Sequence, residues 1–142
     1  MTPSEFRNIV FARLPPIDDH GDQIEALLPD GVVVRLPYDD SFVGSETWGG
    51  NTVKVISGPV VMGLADTAMY AACLAVAGID TVAVVVSMTT TFLRPASEAD
   101  LLAEAVVRRR GGRLAYLDCT IRSDGTDEPV AHIVATYDLR RR

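Results

Sequence analysis

The stretch SGPVVMGLADTAMYAACLAVAG, from Ser57 to Gly78, decides the fold. Pro59 suits the first turn of a helix, where its missing N–H costs little, and Gly78 suits the end of one. Since the residues between them are mainly Ala, Leu, Met and Val, we predict one long α-helix. Its apolar residues lie on all sides, which is typical of a helix that is buried all round or spans a membrane. Because the run is short for a span and Asp66 would lie deep in lipid, we favour a central helix covered by a sheet.

The sequence on either side of this helix predicts one short helix and six strands. The helix covers residues 4–14 with Ser4 as its cap, and the strands cover 23–28, 32–36, 81–93, 97–110, 113–123 and 129–139. Pro-Asp-Gly, Gly-Gly and Asp-Gly turns between the runs indicate antiparallel hairpins. In the run 113–123, alternation assigns Ala115, Leu117, Cys119 and Ile121 to the core. Residues 37–56, which hold the only tryptophan, are expected to form a long irregular loop.

The order of these elements predicts the fold class. One sheet must cover one very hydrophobic helix, so we expect an α+β fold in which an antiparallel β-sheet wraps around the long central helix, with a short N-terminal helix beside it. At 142 residues the chain is expected to form a single domain, residues 1–142.

Composition narrows the classes of function. A net charge of −6 argues against nucleic-acid binding. Cys73 and Cys119 lie inside predicted elements without the spacing of metal ligands, so we expect no metal site and a reduced, cytoplasmic setting. The first 14 residues lack the pattern of a signal peptide.

Asp66 is the candidate for chemistry, because a carboxylate inside an apolar helix is costly unless it is paired or used. It can serve as a nucleophile or as a general base; as the structural alternative, it caps a neighbouring segment or pairs with an arginine. The start of the same helix offers free N–H groups to a carbonyl oxygen. Gly58 would let an acyl group approach the backbone, and Val60 is a second donor because Pro59 has none.

Two polar residues near the helix start each have two readings. Asn51 can orient a carbonyl or a water molecule, or it can be a turn residue after Gly49-Gly50. Ser57 can cap the helix or can take part in the chemistry. His20, in a polar turn, is expected to be an exposed loop histidine.

The runs GLADTAMYAAC (63–73) and TTTFLRPA (89–96) resemble the hotdog-fold thioesterases of the PaaI-like family, named for the phenylacetate pathway. The arginine after Gly111-Gly112 and the final strand ending in Tyr137 match as well, and the resemblance covers Leu36 to the C-terminus. It implies a hotdog fold and dimers that share a continuous sheet, often paired into tetramers. It also implies hydrolysis of acyl-CoA thioesters without a metal or organic cofactor, at an active site in the dimer interface.

Matching the family motif residue by residue implies roles for several positions. Asp66 matches the motif aspartate, and Asn51 matches an asparagine fifteen residues earlier. Ser57 stands where the family has histidine, Gly58 matches the first following glycine, and Pro59 replaces the second. Because the family places nucleotide contacts at strand ends and hairpins, the resemblance implies that Arg94, Arg110 and Arg113 contact coenzyme A.

The sequence is therefore interpreted as an acyl-CoA thioesterase in which Asp66 is nucleophile or general base and Gly58 and Asn51 polarise the carbonyl. Trp48, Met62 and Met69 are candidates for lining the acyl pocket, although core packing explains the two methionines equally well. The alternative is a non-catalytic hotdog domain that binds acyl-CoA or a related ligand. The missing histidine and Pro59 favour that alternative.

Overall fold

The computed structural model describes residues 1–141. Two helices and eight strands follow one another along the chain. They are α1 Pro3–Ala12, β1 Gln23–Leu28, β2 Gly31–Leu36, β3 Val43–Trp48, β4 Asn51–Ile56, α2 Gly58–Ala77, β5 Thr81–Phe92, β6 Leu101–Arg110, β7 Leu114–Ser123 and β8 Pro129–Arg141.

Helix α2 begins and ends where the sequence predicts. The Val60 N–H donates to Ser57 Oγ at 3.4 Å, so Ser57 is the N-cap, and the Gly78 N–H donates to the Leu74 carbonyl at 2.9 Å. By length and composition alone the helix could cross a membrane, but half of its most apolar window is buried inside the fold. It packs against β2, β5, β6 and β7, as expected for the central helix of a core.

Six strands form one antiparallel sheet in the order β1-β2-β6-β7-β8-β5, and this sheet wraps around α2. The inward row of β7 is buried at the four predicted positions, Ala115, Leu117, Cys119 and Ile121. Helix α1 adds Phe6, Val10 and Phe11 to the same core. The predicted α+β hotdog architecture is confirmed.

The segment 37–56 differs from the prediction. Instead of an irregular loop it contains a hairpin, β3–β4, which is a separate two-stranded sheet. Its two-residue turn needs positive φ at both positions, and Gly49 and Gly50 supply φ values of +58° and +79°. Because this hairpin is largely exposed, its sequence lacks the apolar alternation by which a half-buried strand is recognised.

Two boundaries also differ. Thr2, rather than Ser4, caps α1, because the Thr2 and Glu5 side chains each accept a backbone N–H of the other residue. Strand β6 begins at Leu101 rather than at residue 97. The Ala99 N–H donates to the Ser97 carbonyl in a turn before the strand, so residues 97–100 are not extended.

Strand β5 is an edge of the six-stranded sheet, and it pairs with β8 alone among residues 1–141. Val84 is 58% exposed and Val86 is 60% exposed, and their neighbour Val85 is exposed too. A long strand with apolar side chains and a free row of backbone N–H and C=O groups is a template for pairing with another chain.

Candidate functional site

Asp66 lies on α2, two turns after the helix begins, and its carboxylate is partly buried. The Tyr137 hydroxyl donates a hydrogen bond to Asp66 Oδ1 at 2.5 Å and lies 3.2 Å from the Asp66 backbone carbonyl. Among residues 1–141, no Lys, Arg or His forms an ion pair with Asp66. The structural alternative in which an arginine neutralises Asp66 therefore does not describe this fold.

A cavity of about 460 Å³ opens beside Asp66. One wall is α2, which contributes Gly63, Thr67 and Tyr70 as well as Asp66. The opposite wall is the first part of β5, residues 82–85. Charged and polar side chains of the N-terminal segment also line the cavity, together with three further residues: Arg13, Asp18, His20 and Asp22, with Leu14, Leu36 and Tyr137.

This N-terminal wall is held in place by its own contacts. Asp22 is 2% exposed, and its Oδ1 accepts the His20 backbone N–H at 3.1 Å. Burial raises the pKa of Asp22 above its ordinary value, although the bond from His20 opposes the shift. Arg7 Nε donates to the Asp22 carbonyl at 2.9 Å and fixes the segment to α1. His20 is exposed, as expected, but no pattern in the sequence indicates that it lines the same cavity as Asp66.

The start of α2 borders a different cavity, a groove of about 490 Å³. Gly58 lies in this groove, and a Cβ at that position would stand 3.4 Å from Cζ of Phe92. Most of the other lining residues are apolar: Trp48, Val53, Val55, Val61, Leu93 and Pro95. Arg94 also lines the groove. The Val60 N–H donates to Ser57 Oγ and the Val61 N–H to the Ser57 carbonyl, whereas the Gly58 N–H has no acceptor among residues 1–141.

The catalytic candidates do not meet within one chain. Gly58 and Asp66 are eight residues apart on one helix, which separates them by about 12 Å along its axis. They line different cavities. Asn51 lies at the tip of the β3–β4 hairpin opposite Trp48, and β4 carries it about 20 Å from Ser57. Within this chain Asn51 is the residue that follows the Gly49-Gly50 turn, which is the second of the two interpretations given for it above.

The residues predicted to line the acyl pocket lie in different parts of the fold. Trp48 is 82% exposed and lines the groove. Met69 is fully buried in the core and lines neither cavity, because it lies on the side of α2 that faces the core. Met62 is partly exposed and also lines neither cavity. Within this chain core packing accounts for Met69, which is the second of the two explanations given for it above.

The three candidate arginines differ in their contacts. Arg113 is paired with Asp138 through two bonds of 2.8 and 3.1 Å, which neutralise its charge. Arg94 donates to the Pro129 carbonyl and has Glu128 at 3.6 Å. Arg110 is exposed and forms no ion pair within residues 1–141. Arg110 is thus the most available of the three for an anionic ligand.

The two cysteine thiols do not compete with Asp66 as nucleophiles, and the described part of the chain holds no group of metal ligands. Cys73 and Cys119 are both fully buried. Burial raises the pKa of Cys73 to about 12 and that of Cys119 still further, so both stay as inert thiols at neutral pH. Residues 1–141 contain no cluster of three or more His, Cys, Asp or Glu side chains that could hold a metal ion.

Comparison with known proteins agrees with this architecture. The sequence model of the thioesterase superfamily matches residues 54–130, which include α2 and three strands of the main sheet, β5, β6 and β7. A solved structure of a candidate thioesterase from Silicibacter sp. TM1040 is 28% identical, with a TM-score of 0.81 over 99% of this chain and 92% of that one. The comparison with curated proteins found no significant match.

Two less similar structures share the fold. A thioesterase from Haemophilus influenzae is 18% identical, with a TM-score of 0.80 over 99% of this chain and 92% of its own. The PaaI protein of the E. coli phenylacetic acid degradation operon is 24% identical, with a TM-score of 0.71 over 95% of this chain and 90% of its own.

Proposed function

Since this chain belongs to the thioesterase superfamily and is a thioester hydrolase, we propose that it hydrolyses an acyl-CoA thioester to the free acid and coenzyme A, with Asp66 as the reacting carboxylate. The position of Asp66 is the observation that supports its role as the reacting carboxylate. It is a carboxylate in an apolar helix that faces a cavity, and no cation neutralises it within residues 1–141. A partly buried carboxylate without a cationic partner lowers the stability of the fold, which is expected of a group that serves in the chemistry.

The reaction needs a second copy of the chain. A carboxylate must come within about 3–3.5 Å of the carbon that it attacks, but the carbonyl-binding end of α2 is much farther from Asp66 in the same chain. We therefore propose that the protein is a homodimer and that each active site combines Asp66 of one protomer with Gly58 of the partner subunit.

The edge strand β5 supports this arrangement. The start of β5, residues 82–85, lines the Asp66 cavity, and its end, at Phe92 and Leu93, lines the Gly58 groove. If two copies pair antiparallel along β5 about a two-fold axis, the start of one strand lies beside the end of the other. The Asp66 cavity of each protomer then adjoins the partner's Gly58 groove, and the exposed valines of β5 become covered.

The proposed chemistry uses this composite site. The partner's Gly58 N–H and the positive end of its helix dipole polarise the thioester carbonyl. Asp66 then either attacks the carbonyl carbon or removes a proton from a water molecule that attacks it. If Asp66 attacks, the C–S bond breaks as a mixed anhydride forms between Asp66 and the acyl group, and water then hydrolyses the anhydride to the free acid and restores the carboxylate. If Asp66 activates water, the C–S bond breaks after the hydroxide adds to the carbonyl carbon. In both routes the proton that the attacking water releases protonates the sulfur, and coenzyme A leaves as the thiol. The apolar groove suits the acyl or pantetheine part of the substrate, and Arg110 is the candidate for a contact with its phosphates.

The experiment is free-thiol release from a panel of aromatic, short-chain and medium-chain acyl-CoA esters. We expect turnover with at least one acyl class, lost in Asp66→Asn and Asp66→Ala while both variants stay folded and dimeric. The matched control is Asp80→Asn, which makes the same change at an exposed acid beyond the end of α2. No thiol release from any ester, or release that survives both Asp66 changes, would refute the proposal.

A further inference from the structure

Tyr137 breaks the pattern of the strand on which it lies. The inward-facing row of β8 is Ala131, Ile133, Ala135 and Tyr137, so the tyrosine is the one polar side chain in an otherwise apolar row. It is 1% exposed, and its backbone pairs with Val85 on β5 and Ala115 on β7. A buried hydroxyl is destabilising unless it is hydrogen-bonded.

Asp66 provides both hydrogen-bond partners of this hydroxyl within residues 1–141. Tyr137 Oη lies 2.5 Å from Asp66 Oδ1, the short distance typical of a charge-assisted bond, and 3.2 Å from the Asp66 carbonyl. Burial and the nearby Asp66 charge raise the pKa of Tyr137 well above its ordinary value, so the phenol keeps its proton and is the donor. The bond occupies one carboxylate oxygen, and Oδ2 has no hydrogen-bond partner among the described residues.

We propose that Tyr137 is a positioning residue for catalysis, which holds Asp66 by Oδ1 so that Oδ2 is presented to the reacting carbon or water. The inference rests on the proposed role of Asp66 as the reacting carboxylate. Tyr137 lines the cavity but is only 1% exposed, and its hydroxyl donates to the Asp66 carboxylate, so in this scheme it acts through Asp66. It acts by restricting the rotation of the Asp66 side chain.

The test is Tyr137→Phe, which keeps the ring in the core and removes only the hydroxyl. A bond to a charged group that fixes a reacting oxygen is worth about ten- to a hundredfold in rate, so we expect kcat to fall by about that factor with KM nearly unchanged.

The split between kcat and KM separates positioning from a structural role. Both constants are measured on protein that is folded and dimeric, so that a loss of active enzyme is not mistaken for a slower step. Positioning predicts a lower kcat at an unchanged KM, because the substrate still binds while Oδ2 is no longer held toward the reacting atoms. The control is Tyr116→Phe, at an exposed tyrosine on the neighbouring strand β7, which should leave kcat and KM as in the wild type.

The outcomes distinguish this inference from the function on which it rests. A lower kcat with KM nearly unchanged, in a protein that is folded and dimeric by circular dichroism and light scattering, would support positioning by Tyr137. Wild-type kcat and KM in Tyr137→Phe, while Asp66→Asn is inactive, would overturn the inference and leave the proposed function standing. Full activity in Asp66→Asn would overturn both.

Discussion

If each active site is shared between two protomers, two inactive variants should restore activity when they are combined. Asp66→Asn removes the reacting carboxylate. Gly58→Val places a branched side chain in the groove where the carbonyl would bind, beside Phe92. Each homodimer then carries the same defect in both of its sites, so each should be inactive.

A heterodimer of the two variants distributes the defects unevenly. One site receives both changes, and the other combines the unchanged Asp66 of one protomer with the unchanged Gly58 of its partner. The purified heterodimer should therefore have about half of wild-type activity, and an unsorted equal mixture about a quarter, because half of its dimers are mixed in a two-fold assembly. The spacing of about 12 Å between the two residues on α2 is the reason for this expectation.

The assay is co-expression with two different affinity tags, sequential purification on both, and thiol release from the preferred acyl-CoA. Wild type paired with Asp66→Asn is the reference, and it should also have about half of full activity. A heterodimer as inactive as its parents would refute the shared site, because it would mean that Asp66 and Gly58 act within one chain. Activity in the Gly58→Val homodimer would instead contradict the role of the helix start.

Three further predictions concern stability and the shape of the cavity. Gly63→Ala should raise the free energy of unfolding by about 1 kcal/mol, since no atom lies within 4 Å of the added Cβ and alanine favours a helix interior. The same methyl enters the cavity beside Asp66, so thiol release should fall although the melting temperature rises by about 3 °C. Gly31→Ala should lower the unfolding free energy by about 3 kcal/mol in urea titration, because its Cβ would overlap the Ala105 carbonyl oxygen. Asp22→Asn should stabilise the protein at pH 7, because burial raises the pKa of Asp22 and its ionised form therefore opposes folding. That gain should disappear as the pH falls below about 4, where the carboxyl is protonated in both the folded and the unfolded state.

Each of these predictions has a matched control and a result that contradicts it. Gly112→Ala also places a Cβ in open space, but in an exposed hairpin outside the cavity, so it should not change thiol release. If Gly112→Ala lowers the unfolding free energy as much as Gly31→Ala does, the overlap with the Ala105 carbonyl oxygen is not the cause of the loss at Gly31. Asp18→Asn changes an exposed carboxylate on the same segment, so its effect on stability should be small at all pH values. If Asp22→Asn lowers the unfolding free energy at neutral pH, the ionised Asp22 does not oppose folding and the prediction is wrong.

Much of the fold could be predicted from local patterns. The apolar run, Pro59 and Gly78 define α2, and alternation together with turn residues defines the six strands of the main sheet. The motif around Asp66 led to the thioesterase resemblance, which the superfamily match confirms. The hairpin at residues 43–56 could not be predicted in the same way, because it buries little apolar surface and leaves no periodic signal.

The sequence by itself determined the helix, the inward rows of strands such as β7, and the position of a single charge, Asp66, in the most apolar element. These features follow from residue type and spacing, which act over a few residues. Only the tertiary structure decided what surrounds Asp66. The Tyr137 hydroxyl comes from 71 residues away, and the cavity wall at His20 and Asp22 from more than forty. It also placed Gly58 and Asp66 in different cavities, because the segments that pack beside the start and the middle of α2 come from different parts of the chain.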